Sequence, residues 1–266
     1  MDKYVNLIGI PFDGKSSYLG GAGFAPERLR KEMSSSAYNM YCERRFPVLN
    51  KDFLKDCGDL KANSYEKMLP ALRQQIRAGE KYVFIGGDHS LTFPIVEAMN
   101  EIHGTFHILH FDAHGDLYNE FEGDPHSHAC PFARIMEKGL VETLTQVGVR
   151  SLTPHQYEQA EKYNVEVYEM RNIAHFDPSW VEGPLYISLD LDVLDPAYAP
   201  GVSHREPGGV SPRMLIDWLH EIKVPVIGAD IVEYNPLRDV GDMTASVAYK
   251  LLKELLGVFW SEGEEG

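Results

Sequence analysis

Two short runs, FDAHGD at 111–116 and SLDLD at 188–192, each close an apolar stretch with acids and a histidine at alternate positions. In an extended chain alternate side chains share a face, so Asp112, His114 and Asp116 are expected together, as are Asp190 and Asp192. GGDHS adds His89 just past the apolar run KYVFI. Four carboxylates and two imidazoles at three strand ends make the donor set of a two-metal site. Taken singly, an aspartate at a strand end is more often a cap or turn former. The grouping changes that reading. Two bare carboxylates about 4 Å apart repel by about 4 kcal/mol at an effective dielectric near 20, so the pair calls for a cation. Oxygen and imidazole donors without sulfur favour manganese, iron, cobalt or nickel over zinc or calcium. Two such ions, about +4 against about −4 from the acids, leave a near-neutral site in which a shared water is acidified into a nucleophile. The chemistry implied is metal-assisted hydrolysis.

Strand-length apolar runs at 4–10, 81–85, 105–111, 144–149, 165–170, 184–189 and 224–229 have to position these groups. Helical patterns alternate with them at 26–35, 64–79, 94–102, 130–139, 154–163, 211–222 and 243–259. Ser211 before Pro212 suits a helix start, and Gly79 and Gly139 suit helix stops. The alternation predicts an α/β fold with a mostly parallel sheet covered on both faces, where ligands gather beyond the carboxyl ends of strands. Gly86 and Gly87 are expected to form a tight turn that aims His89. His107 and His110, inside TFHILHF, read as buried, hydrogen-bonded imidazoles, and Asp88 and Asp195 as capping or supporting acids. His103, His155, His175 and His220 read as surface or packing residues.

The chain has 266 residues, 44% of them hydrophobic, enough for one large domain spanning 1–266. Its net charge of −15 argues against a nucleic-acid partner and fits a small cationic substrate. Cys42, Cys57 and Cys130 are few and not in CxxC spacing, so neither a disulfide framework nor a thiolate metal site is indicated, and a cytoplasmic location is the default. The amino end MDKYVNLIGIPFDG is interrupted by Pro11, and no apolar run reaches membrane-spanning length. We expect no signal peptide and no membrane partner.

GGDHS, FDAHGD, HSHACPF, SLDLDVLDPAYAPG and ADIVEYNP, in this order over about residues 80–240, closely resemble the ureohydrolase family of arginase, agmatinase and their relatives. The resemblance implies a three-layer α/β/α domain around a mostly parallel sheet of about eight strands. It further implies two manganese ions, hydrolysis of a guanidino group to urea and an amine, and a homo-oligomer, trimer or hexamer. On the family pattern His89, Asp112, Asp116 and Asp190 hold one ion, and His114, Asp112, Asp190 and Asp192 the other. Asp116 counts among the catalytic groups as well. His128 matches the histidine that helps transfer protons, with His126 its rival two residues earlier, and Glu233 matches the acid that holds the guanidinium. These roles make chemical sense. A guanidinium is a poor electrophile, so its carbon must be fixed beside the nucleophile and its departing amine protonated.

The substrate tail is less constrained. After Asp116 the chain reads LYNEFEGDPHSHACPF, with Tyr118 where arginases typically carry an asparagine, a spacing more like agmatinase or a guanidino-acid hydrolase. It departs from the agmatinase pattern in APGVSHREPGG, which brings His204 and Arg205 into that loop, and in Ala129, where glycine is usual. Arg205 is expected to engage a substrate carboxylate; a surface or inter-subunit salt bridge is the plainer role. Arginase activity, a two-metal phosphoesterase and a non-catalytic metal-dependent binding protein on the same fold stay open as alternatives.

Overall fold

Alternate burial along the strands decides the layering. Val83 and Ile85 enter one apolar cluster while Tyr82 and Phe84 enter another, and Leu109 and Ile108 divide in the same way. A strand buried on both faces has to be covered by helices on both. The computed structural model describes residues 4–260. Its strands are β1 (Val5–Gly9), β2 (Leu54–Asp59), β3 (Lys81–Ile85), β4 (His107–Phe111), β5 (Thr143–Val149), β6 (Glu166–Glu169), β7 (Leu185–Asp190) and β8 (Val226–Val232). They form one sheet in the order β2-β1-β3-β8-β7-β4-β5-β6, with every neighbouring pair parallel.

Helices α1 (Ala25–Met33), α6 (Pro212–Glu221) and α7 (Met243–Val258) cover the face carrying Val83 and Leu109. On the other face lie α2 (Met68–Gln75), α3 (Thr92–His103), α4 (Pro131–Glu137) and α5 (Pro154–Lys162). Leu251, Leu252, Leu255 and Leu256 of α7 are fully buried, each burial stabilising by about 1.5–3 kcal/mol. Ser211 caps α6 by accepting from the Met214 N–H, with Pro212 at the first position. The result is the expected three-layer α/β/α arrangement. The first three and last six residues of the chain, including part of the amino-terminal stretch read for a leader, lie outside the described residues. Among the described residues no helix is long and apolar enough to cross a membrane.

Three local expectations fail. Strand β2, LKDCGD, was not foreseen; it is an edge strand whose residues after Leu54 are exposed, so it carries no apolar signature. Helix α2 ends at Gln75, four residues before Gly79, whose positive φ of 81° serves the turn into β3 instead. His107 is only half-buried, at the start of β4, where Nδ1 bonds the Thr143 hydroxyl at 2.9 Å.

The chain passes from β3 to β4 across a gap that β8 and β7 later fill, so β3, β8, β7 and β4 stand side by side at the centre. Residues leaving the carboxyl ends of these four strands converge.

Candidate metal centre and substrate cavity

His89 follows β3 in the short 3-10 turn His89–Leu91, capped by Asp88, whose carboxylate accepts from the Ser90 N–H. Gly87 is required here by close approach: a Cβ on it would collide with the main-chain carbonyl of Phe12. Asp112, His114 and Asp116 follow β4. Strand alternation does not bring them together, because β4 ends at Phe111. A tight turn does so instead: the His114 N–H bonds Asp112 Oδ1, the Ala113 N–H bonds Asp192 Oδ1, and Asp116 takes a left-handed φ of 49°. Asp190 is the last residue of β7 and caps a 3-10 turn containing Asp192, whose N–H it accepts at 2.8 Å.

The six side chains gather in two groups. His89 Nδ1 lies 3.1 Å from Asp112 Oδ2, 3.1 Å from Asp116 Oδ2 and 3.2 Å from Asp190 Oδ2. His114 Nδ1 lies 3.0 Å from Asp192 Oδ2 and 3.4 Å from Asp112 Oδ1. Asp112 joins the groups by presenting one oxygen to each.

The other nitrogen of His89 decides its state. Nε2 lies 3.0 Å from Ser188 Oγ, which itself donates to Asp230 Oδ1 at 2.7 Å, so Ser188 accepts from His89 and Nε2 carries the proton. Nδ1 is thereby left to face three carboxylate oxygens, an arrangement that either a proton or a metal cation at that nitrogen relieves. This orphaned, fully buried nitrogen and an all-oxygen-and-imidazole donor set fit divalent ions. His110 stands behind them, its Nε2 2.8 Å from Asp112 Oδ2 and its Nδ1 3.0 Å from Gln146 Nε2; both ring nitrogens are engaged, so it orients Asp112.

The electrostatics tell the same story. Burial, then Asp192 and Asp112, push the Asp190 pKa well above the carboxylate range, and burial with Asp112 lifts Asp192 to about 6. Burial opposes a charge on His89 and on His114, yet the surrounding carboxylates raise both well above an ordinary imidazole. Without cations the cluster holds itself together with protons.

Beyond these groups opens a cavity of roughly 250 Å³, reaching His128, Glu233, Tyr118, His204 and Glu206. A larger hollow of about 420 Å³, beside His107, Thr143 and Trp180, contains none of the six. Glu233 follows β8 with a left-handed φ of 61° that turns its carboxylate toward the cluster. Its Oε1 accepts the His89 N–H at 2.9 Å and lies 3.2 Å from His128 Nδ1, while its buried Oε2 has no protein partner. Burial disfavours charge on His128, but the Glu233 carboxylate raises its pKa to about 9. Its Nε2 meets Ser17 Oγ at 2.9 Å, in the 11–23 loop.

Two expected residues lie elsewhere. The exposed Arg205 donates from Nε to the Pro200 carbonyl at 2.7 Å and from the guanidinium to the Arg238 carbonyl at 3.2 Å, so backbone oxygens hold it away from the cavity. His126 stacks on Phe93 and beside Tyr65, outside the lining; His128 is the histidine that reaches in. Ser188, Asp230, Ser17 and Glu206 were missed. Asp230, a lone acid inside the buried strand VIGADIV, was the legible signal among them.

A family model described as "Arginase family" matches residues 3–257. The chain is 40% identical over 272 residues to "Arginase 1, mitochondrial" of Arabidopsis thaliana, covering 94% of this chain and 79% of that protein. It is 31% identical over 263 residues to the agmatinase of Bacillus subtilis (strain 168), covering 94% and 90% respectively. The solved structure "Arginase from Medicago truncatula" superposes with a TM-score of 0.88 at 38% identity, covering 97% of this chain and 88% of that one.

Proposed function

The chain belongs to the Arginase family, and from that premise we propose that it hydrolyses a small guanidino compound to urea and an amine at the cluster of His89, Asp112, His114, Asp116, Asp190 and Asp192. Enzymes of this family are ureohydrolases with a two-metal centre, typically manganese. Cobalt, nickel or iron also suit this donor set. The observation that carries the reading is His89 Nδ1 facing three carboxylates within 3.2 Å while Nε2 is committed to Ser188. When bound, the metals supply an acidified water as nucleophile.

The remaining work falls to side chains. Glu233 offers its free Oε2 to guanidinium N–H groups and so aligns the carbon. His128, protonated at neutral pH beside Glu233, gives the departing amine its proton, a contribution of order 10²–10⁴ in rate. Asp116 and Tyr118 both line the cavity. No lysine or arginine lines the cavity among the described residues, which speaks against a phosphoester substrate. Relatives named arginase and agmatinase leave arginine as well supported as agmatine. We further read residues 1–266 as one catalytic domain working in a homo-oligomer, trimer or hexamer. The cytoplasm stays our proposal for its compartment, although the Arabidopsis relative's name places that protein in mitochondria.

The test is urea release from arginine, agmatine and 4-guanidinobutyrate, with manganese and after chelation. Manganese-dependent urea from at least one is expected. No urea from any, under any metal, overturns the reading.

A further inference from the structure

Among the described residues Glu206 is the one acid lining the cavity that belongs neither to the six-residue cluster nor to the guanidinium-facing position of Glu233. We propose that its carboxylate receives an ammonium group at the far end of the substrate, so that the preferred substrates are guanidino compounds with a cationic tail rather than guanidino acids lacking one. The proposal rests on the ureohydrolase reading above and names the other end of the same substrate.

Three observations carry it. Glu206 Oε1 stands 3.6 Å from His114 Nε2, while His114 Nδ1 faces Asp192, so one imidazole separates the Glu206 carboxylate from that of Asp192. Glu206 and Glu233 line the same cavity, so a substrate whose guanidinium lies against Glu233 has this acid in the wall open to its tail. The carboxylate is also under-used. Its protein contacts, that 3.6 Å approach and a 3.4 Å bond from the Ser151 hydroxyl, are both long, and its side chain is 37% exposed. Finally, it is held firmly. Arg150 donates to the main-chain carbonyls of Gly148, Asp192, Val193, Leu194 and Glu206. Its guanidinium thereby pins the Glu206 backbone to the turn bearing Asp192, leaving the carboxylate directed by the loop.

The rest of the wall agrees. Ser151, Thr153 and Gln156 are neutral, and His204, stacked 5.2 Å from His128, is kept from charging by burial and by that neighbour. No lysine or arginine lines the cavity among the described residues, and the His128 imidazolium is already paired with Glu233, so a carboxylate tail finds no free counter-charge. An ammonium finds Glu206.

The experiment compares wild type and Glu206→Gln, both manganese-loaded, for kcat/KM and for calorimetric binding of agmatine, arginine and 4-guanidinobutyrate. A charge-assisted contact predicts that the agmatine-to-guanidinobutyrate ratio falls about tenfold or more in the variant, mostly through KM. An equal loss on all three compounds means that Glu206 acts through His114, and an unchanged ratio means that it faces no tail; either overturns the proposal. If the wild type binds these compounds but releases no urea, the hydrolase reading falls and the binding ratio alone decides the role of Glu206. If no guanidino compound binds at all, both fall.

Discussion

His128 Nδ1 and Glu233 Oε1 lie 3.2 Å apart, with both side chains nearly withdrawn from water. The group that would grip a guanidinium and the group that would protonate its leaving amine form one electrostatic unit, so neither can be altered alone. Glu233→Gln removes the charge that keeps His128 protonated as well as the guanidinium's partner. We expect kcat/KM for the best substrate to fall by about 10²–10³, in line with about 3–4 kcal/mol for breaking a buried charged contact. The double variant with His128→Gln should cost much less than the sum of the singles. Steady-state kinetics on the three proteins checks this; strict additivity would separate the two residues.

Acid catalysis by His128 fixes the sign of one pH limb. Glu233 raises its pKa to about 9, so the imidazolium is present at neutral pH and is lost as pH rises through that value. Accordingly kcat should decline above about pH 9, and that limb should disappear in His128→Gln. A kcat profile from pH 6 to 10.5 measures it.

Ser188 and Asp230 never touch the cavity, yet they set which nitrogen of His89 is free. Ser188→Ala leaves Nε2–H without its acceptor and lets the ring turn or take the other tautomer. Manganese affinity should weaken about 10- to 100-fold, the usual effect of removing such a partner, while the fold survives. Calorimetric titration of the metal-free chain with manganese gives the number, and circular dichroism verifies the fold.

Metal-free and metal-loaded chains should respond oppositely to acid. In the metal-free fold His89, His114, Asp190 and Asp192 all bind protons more tightly than in the unfolded chain, whereas the facing imidazoles hold Asp112 well below the usual range. Raised folded values contribute stability at low pH that is lost as pH rises through them. For Asp192 that loss is complete just above pH 6; for the two histidines it continues above neutrality. The chelated protein should therefore melt at a higher temperature at pH 6 than at pH 8. Manganese should reverse the order, because the ions compete with those protons. Thermal melts at both pH values, with and without chelator, test the sign.

The layers and the ligand types were legible in the sequence, because strands buried on both faces advertise themselves as apolar runs and chemistry concentrates at their carboxyl ends. The way the ligands converge was not. Strand alternation would place Asp112, His114 and Asp116 on one face, but a turn held by backbone-to-carboxylate bonds and a left-handed Asp116 does that work. Position relative to the cavity was equally hidden for HREP. Arg205 looked like the tail-binding residue by charge, yet it bonds the Pro200 and Arg238 carbonyls, and its neighbour Glu206 faces inward. In a loop without strand or helix periodicity, adjacent side chains have no prescribed direction. The exposed edge strand β2 escaped for a related reason, since it lacks the apolar pattern that marks a buried one.

All of these roles depend on six side chains holding a pair of cations. Metal analysis of the purified chain saturated with manganese and then freed of excess, set against Asp112→Asn, measures that most directly, since Asp112 alone faces both groups. We predict two manganese ions per chain in the wild type and loss of both from the variant. One ion or none in the saturated wild type, or full retention in Asp112→Asn, would contradict the account.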